Sequence, residues 1–230
     1  MAITETAHRL KLAGKLLPVR KLAPESPWAR MIFAHGAGAG MDSDFMRFFQ
    51  RAFAAEGLET VCFEFGYMAA GRKAPAPRQR LEEEFRAVVR EFGVLADGLP
   101  LLLVGKSMGG RIASYIAGEF PAVQGLVFLG YPLHPPGRPG VQRAEHLLNL
   151  PLPMCFVSGQ RDRLAETELL LSVIRRLDDR ACLSLVEDGD HSLRVPKRSG
   201  RSVEEVWTEA SLHAVNWIRA VVQAERKPEK

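Results

Sequence analysis

One serine sits among glycines in Gly105-Lys-Ser107-Met-Gly109-Gly110, directly after the apolar run Leu101-Leu-Leu-Val104. An apolar run without alternation reads as a strand covered on both faces, and a helical pattern begins near Met108. At such a strand–turn–helix junction a serine can act as a nucleophile. The turn lifts its hydroxyl above the sheet edge and sets it at a helix N-terminus, where free N–H groups favour developing negative charge. Gly105 and Gly109 leave room for that turn to close. The letters Gly105-Lys-Ser107 could also end a phosphate-binding loop, but that motif needs a glycine where Pro100 stands and a loop where Leu101–Val104 forms a strand.

A serine hydroxyl is a poor nucleophile without a base, and the base needs an acid to orient it. In chain order the acid and then the histidine should follow the serine. Ser158-Gly-Gln-Arg-Asp162 follows the apolar run Pro153–Val157, and Glu187-Asp-Gly-Asp-His191 follows the run Cys182–Val186. Asp162 and His191 are therefore the expected acid and base. Asp178 and Asp179 precede a strand and lie at the wrong sheet edge. Asp188 and Asp190 share the loop of His191, and Asp190, as its neighbour, is poorly placed to hold its ring. Of the other histidines, His35 ends a strand and is expected to hold loop backbone. His8, His146 and His213 read as structural. His134, in a Pro/Gly-rich loop, is expected to line the pocket.

Acyl transfer also needs two N–H groups for the oxyanion. Met108, next after the serine, supplies one; His35-Gly-Ala-Gly-Ala-Gly40 should supply the other, from Ala37 or alternatively Gly38. Gly36 and Gly38 let this backbone approach a substrate. Met41 stands where a dinucleotide fingerprint would need its third glycine. Tyr67, with Met68, is expected to form another wall.

These residues need a frame that collects strand ends at one edge. Short apolar runs at Met31–His35, Thr60–Phe65, Leu101–Val104, Gly125–Leu129, Pro153–Val157 and Cys182–Val186 alternate with helical patterns. The patterns cover Asp44–Glu56 (N-cap Asp42 or Ser43), Arg80 to about Ala96, Met108–Glu119, Glu166–Leu177 and Ser202–Val222. An early hairpin, about His8 to Leu22, adds antiparallel edge strands. The pattern predicts an α/β fold with a mostly parallel sheet flanked by helices, as one domain over residues 1–230. Its site belongs at the carboxyl ends of the strands. Only 22 residues separate Gly130 from Pro153, too few for a lid domain. The charged tail from Gln223 to Lys230 is expected to fray.

Composition excludes other classes. The chain has 230 residues, 47% hydrophobic and 25% charged, with a formal charge of +4. The basic residues are scattered apart from Arg194, Lys197, Arg198 and Arg201, so no nucleic-acid partner is expected. No apolar run is long enough to span a membrane. Cys62, Cys155 and Cys182 each lie in a strand-like run and are expected to be buried and unpaired. That cysteine use and an N-terminus without a secretory pattern point to the cytoplasm. The chemistry calls for a small-molecule ester, and for no metal or cofactor. A non-catalytic interaction module on the same fold would be signalled by a missing triad member, and none is missing.

With these pieces together, the chain resembles the small α/β-hydrolases related to dienelactone hydrolases. It is most similar to the family that includes a subunit of the non-specific-lethal acetyltransferase complex and its compact bacterial relatives. The resemblance rests on His35–Gly40, Gly105-Lys-Ser-Met-Gly-Gly-Arg111, Gly130-Tyr-Pro-Leu-His-Pro-Pro-Gly137, Ser158–Asp162 and Gly189-Asp-His191. It implies an α/β-hydrolase fold and the triad Ser107, Asp162 and His191, and it implies no particular substrate.

Overall fold

The structure is a computed structural model that describes residues 2–225. Eight strands form one sheet: β1 (Ile3–Leu12), β2 (Lys15–Pro24), β3 (Ala29–Ala34), β4 (Leu58–Phe63), β5 (Leu101–Lys106), β6 (Val123–Leu129), β7 (Met154–Gly159) and β8 (Ala181–Val186). Their order across the sheet is β1-β2-β4-β3-β5-β6-β7-β8. The hairpin β1–β2 is antiparallel and joins β4 antiparallel; every other pairing is parallel. The helices are α1 (Asp44–Ala55), α2 (Gly66–Ala69), α3 (Arg78–Val88), α4 (Met108–Ile116), α5 (Thr167–Leu177) and α6 (Val203–Glu225). This is the α/β-hydrolase fold.

The absence of alternation in the central strands has a direct cause: both faces are covered. Ile32, Leu103, Phe128 and Phe156 point to one face and pack with Phe85, Ile112 and Leu170 of α3, α4 and α5. Phe33, Leu102, Val104, Val127 and Val157 point to the other and pack with Phe49, Phe53, Trp207 and Ile218 of α1 and α6. Successive residues of a strand face opposite ways, so a helix layer on each side favours apolar residues at consecutive positions. Ser43 caps α1, its Oγ accepting the Met46 N–H at 3.5 Å.

Several boundaries differ from the sequence reading. β4 starts two residues earlier and ends at Phe63, because its register against β3 runs from Ala29↔Leu58 to Ala34↔Phe63. Beyond that point the Phe65 N–H donates to His35 Nε2 at 3.0 Å, and α2 begins. The helix expected from Arg80 to Ala96 starts at Arg78, loosens into a π turn over Val89–Gly93 and stops there. α6 continues through Glu225; the rest of the expected fraying tail lies outside the described residues. Cys62 and Cys155 are buried, but Cys182 is exposed. Its strand, β8, is the sheet edge and is only half covered, an edge effect that an apolar run does not reveal. Between β6 and β7 the chain forms a loop and a 3-10 segment, Gln142–Asn149. Among the described residues no helix is long and apolar enough to cross a membrane.

Candidate active site

Strand β5 delivers Ser107 to the carboxyl edge of the sheet, and α4 begins at the next residue. Ser107 has φ 51° and ψ −114°, a backbone conformation that is costly for a residue with a side chain. It is held there by its N–H, which donates to Leu129 O at 3.2 Å, and by the Arg111 N–H, which donates to Ser107 O at 3.2 Å. The glycines around it are a packing requirement. A Cβ on Gly105 would lie 2.0 Å from Gly110 N, and one on Gly109 2.3 Å from Ala34 O. The turn closes only because strand and helix touch backbone to backbone.

Three expected residues from three separate strand ends meet here. His191 Nε2 lies 2.8 Å from Ser107 Oγ, and His191 Nδ1 lies 2.7 Å from Asp162 Oδ2. With Nδ1 protonated toward the carboxylate, Nε2 is left as the acceptor for the serine proton. Asp162 is 2% exposed, and its second oxygen accepts the Leu164 N–H at 2.8 Å. Asp162 therefore fixes its own loop and the imidazole at once. Asp190 plays a different part. Its Oδ1 accepts the N–H groups of Ser192 and Arg194 at 2.7 and 2.9 Å, shaping the turn that carries His191.

Ala37 and Met108 both line a cavity beside Ser107, and among the described residues neither N–H has an acceptor. They are free to receive an oxyanion. The glycine-rich loop is held from below. His35 is fully buried, and burial pulls its pKa down to about 4, so the ring is neutral. It donates through Nδ1 to Gly36 O at 2.7 Å while Nε2 accepts from Phe65 N–H, the structural role expected of it. Gly36 and Gly38 line a second cavity, of about 510 Å³, together with Ser107, His191, Phe45 and Trp207.

Two expected wall residues lie elsewhere. Tyr67 is buried under the glycine-rich loop, and its hydroxyl donates to Ala37 O at 2.9 Å. Its phenol braces the loop rather than facing either cavity. His134 is fully buried, with Nδ1 against Pro135 O at 2.9 Å and Nε2 against the Glu166 carboxylate. It ties the Pro/Gly loop to the start of α5. A histidine in such a loop carries two polar nitrogens, and here both find partners inside the protein.

Sequence reasoning misses Lys106, which reads there only as part of a phosphate-loop motif. Its side chain is 8% exposed, and its ammonium donates to the His191 carbonyl and faces the Phe45 ring at 5.3 Å. Burial pulls its pKa down to about 8, with Asp162 and Asp190 opposing the shift. Lys106 thus pins the backbone of the histidine while the imidazole spans Ser107 and Asp162. A signal exists in the sequence: a lysine ending a wholly buried strand must find a partner. Trp207 of α6 secures the same loop, its Nε1–H donating to Ser192 O at 3.0 Å.

A family model described as an alpha/beta hydrolase domain matches residues 27–219. The chain is similar to a dienelactone hydrolase from Anabaena variabilis, with TM-score 0.76 and 18% identity over 95% of this chain and 98% of that one. A serine hydrolase without lid from Xanthomonas campestris gives TM-score 0.74 and 18% identity over 93% and 94%. The esterase domain of a Rhodothermus marinus protein gives TM-score 0.73 and 18% identity over 96% and 100%. At these identities the likeness is one of fold.

Proposed function

Because the chain belongs to the alpha/beta hydrolase domain family, we propose that it is a serine hydrolase, a carboxylesterase that cleaves small acyl esters through an acyl-enzyme. One observation carries this reading: the relay from Ser107 Oγ to His191 Nε2 at 2.8 Å and from His191 Nδ1 to Asp162 Oδ2 at 2.7 Å. It is joined to a strained serine at the head of a helix. The Gly-Lys-Ser-Met-Gly-Gly-Arg stretch supports a place near the compact bacterial relatives of the non-specific-lethal complex subunit. The sparse, unpaired cysteines support a cytoplasmic setting.

In the first step Ser107 Oγ attacks the ester carbonyl carbon and its proton passes to His191 Nε2. The carbonyl π electrons move to oxygen, which the Met108 and Ala37 N–H groups receive, each worth about 3 kcal/mol to such a transition state. Asp162 stabilises the imidazolium without taking its proton. The carbonyl re-forms, the C–O bond to the alcohol breaks, and His191 returns the proton to the departing oxygen. Water then enters, gives a proton to His191 and its oxygen to the acyl carbon. The bond from the acyl carbon to Ser107 Oγ then breaks, the acid leaves, and His191 returns its proton to Oγ, restoring the hydroxyl. The test is turnover of p-nitrophenyl acetate by the purified protein, lost in Ser107→Ala. Turnover that survives this substitution would reject the assignment.

A further inference from the structure

Two cavities meet at Ser107, and they differ in charge. The one that Ala37 and Met108 line, of about 330 Å³, is lined also by Ser107 and by Arg78, Arg111 and Arg143. Among the described residues no carboxylate lines it. Three guanidinium groups around so small a space repel one another unless something negative lies between them.

Their partners do not balance that charge. Arg111 makes no ion pair among the described residues, and its Nε is shut off from solvent without an acceptor. With its Nε enclosed, the rest of the planar guanidinium is what can meet a carboxylate or phosphate in the cavity. Arg143 donates to the His134 carbonyl at 3.0 Å, and burial together with Arg111 pulls its pKa down. Arg78 pairs with Glu82 at 3.1 Å and stacks 4.7 Å over Tyr115, but Glu82 also serves Arg86 at 3.0 Å. Arg86 has Glu119 besides, at 2.8 Å, so Arg78 is answered by Glu82, while among the described residues Arg111 and Arg143 have no carboxylate. The local excess reaches further: His146, behind this wall, has its pKa pulled down to about 4 by burial and by Arg111 and Arg78.

Arg111 is also placed by the nucleophile itself, one helical turn beyond Ser107 and bonded through its N–H to Ser107 O. A group held by Arg111 is therefore registered against the reacting hydroxyl. Apart from Ser107 and the three arginines, the residues lining the cavity are apolar, Leu81, Ile112, Pro132 and Leu164 among them.

We propose that this cavity receives an anionic group of the substrate, so that the ester cleaved at Ser107 carries a carboxylate or phosphate on a short apolar spacer, bound by Arg111 and Arg143 with Arg78 at the mouth. This rests on the serine-hydrolase reading above.

The experiment compares kcat/KM for mono-p-nitrophenyl adipate with that for p-nitrophenyl hexanoate, which has the same chain length and no charge. The wild-type ratio is expected to be tenfold or more in favour of adipate at low salt, and to fall as NaCl rises to 0.5 M, because screening weakens a charge-selective site. In Arg111→Gln the ratio should drop at least tenfold, and in Arg143→Gln it should drop in the same direction. In Arg175→Gln, an exposed arginine on α5, the ratio should hold. Adipate and phenyl phosphate as inhibitors of hexanoate hydrolysis separate the two sources: the tighter one names the group. A wild-type ratio near one with hexanoate still turned over would overturn the anion site and leave the hydrolase reading intact. Inhibition by neither anion would do the same. Failure to turn over any ester would overturn both. If Arg111→Gln does not fold, the salt dependence of the wild-type ratio and the Arg143→Gln ratio decide the matter.

Discussion

Replacing Lys106 by methionine separates two effects that the structure ties together. The ammonium costs stability because it is buried: its pKa is about 8 in the fold against 10.5 for a free lysine. Between those pH values the unfolded chain holds the proton and the folded chain does not. Stability therefore rises with pH across this window, and the full penalty is present below pH 8. The span corresponds to about 3 kcal/mol. That span is already net of what the ammonium meets in the fold, so the hydrogen bond to the His191 carbonyl is not subtracted from it again. Lys106→Met, which fits the same volume, removes the burial cost and that hydrogen bond together and should change stability at pH 7 by less than about 3 kcal/mol. The wild type should gain on the variant by up to about 3 kcal/mol as pH goes from 8 to 10.5, other titrations being common to both. Activity should behave differently. Without the ammonium the His191 backbone is free to shift, and a displacement of about 1 Å can cost about a hundredfold in rate. We expect kcat for p-nitrophenyl acetate to fall by about ten- to a hundredfold. Urea denaturation at a series of pH values, beside steady-state kinetics, reads both. Parallel stability curves for the two proteins would refute the burial argument. An unchanged kcat in a folded variant would refute the positioning argument.

Asp162→Asn should preserve the shape of the site while favouring the wrong imidazole tautomer, lowering kcat by about 10⁴ with little change in KM in ester kinetics. Tyr67→Phe removes the hydroxyl that donates to Ala37 O, a bond worth about 1 kcal/mol; kcat should fall up to about tenfold and thermal stability only slightly. Gly109→Ala places a Cβ 2.3 Å from Ala34 O, against backbone that cannot yield. Its Tm should drop by many degrees or the protein should be recovered insoluble; a well-folded variant of unchanged Tm would contradict the packing described for the elbow.

Much of this arrangement is legible in the letters, for reasons that particular residues make clear. Ser107, Asp162 and His191 each follow an apolar run, and parallel strands place such positions at one edge, so chain order alone brings them near. The parallel core is readable because helices on both faces leave long unalternating apolar runs in β3, β5 and β6, Met31–Ala34, Leu101–Val104 and Leu126–Leu129. Tyr67, His134 and Lys106 escape a reading of the letters for the opposite reason. Whether a polar side chain faces a cavity or a backbone group depends on rotamer and loop path, which no periodicity reports. Cys182 escapes it because an edge strand keeps the apolar letters of a central one while losing a neighbour. The Arg78, Arg111 and Arg143 cluster comes from α3, α4 and the 3-10 segment between β6 and β7, and only folding makes it a cluster.

The central claim is that Ser107 is an activated nucleophile, and a fluorophosphonate probe reads this without knowledge of the substrate. Intact-mass and peptide mapping of the labelled protein should show one adduct, on Ser107, absent from Ser107→Ala and formed far more slowly in Asp162→Asn. Wild-type protein that stays unlabelled, or that is labelled at another residue, would contradict the claim.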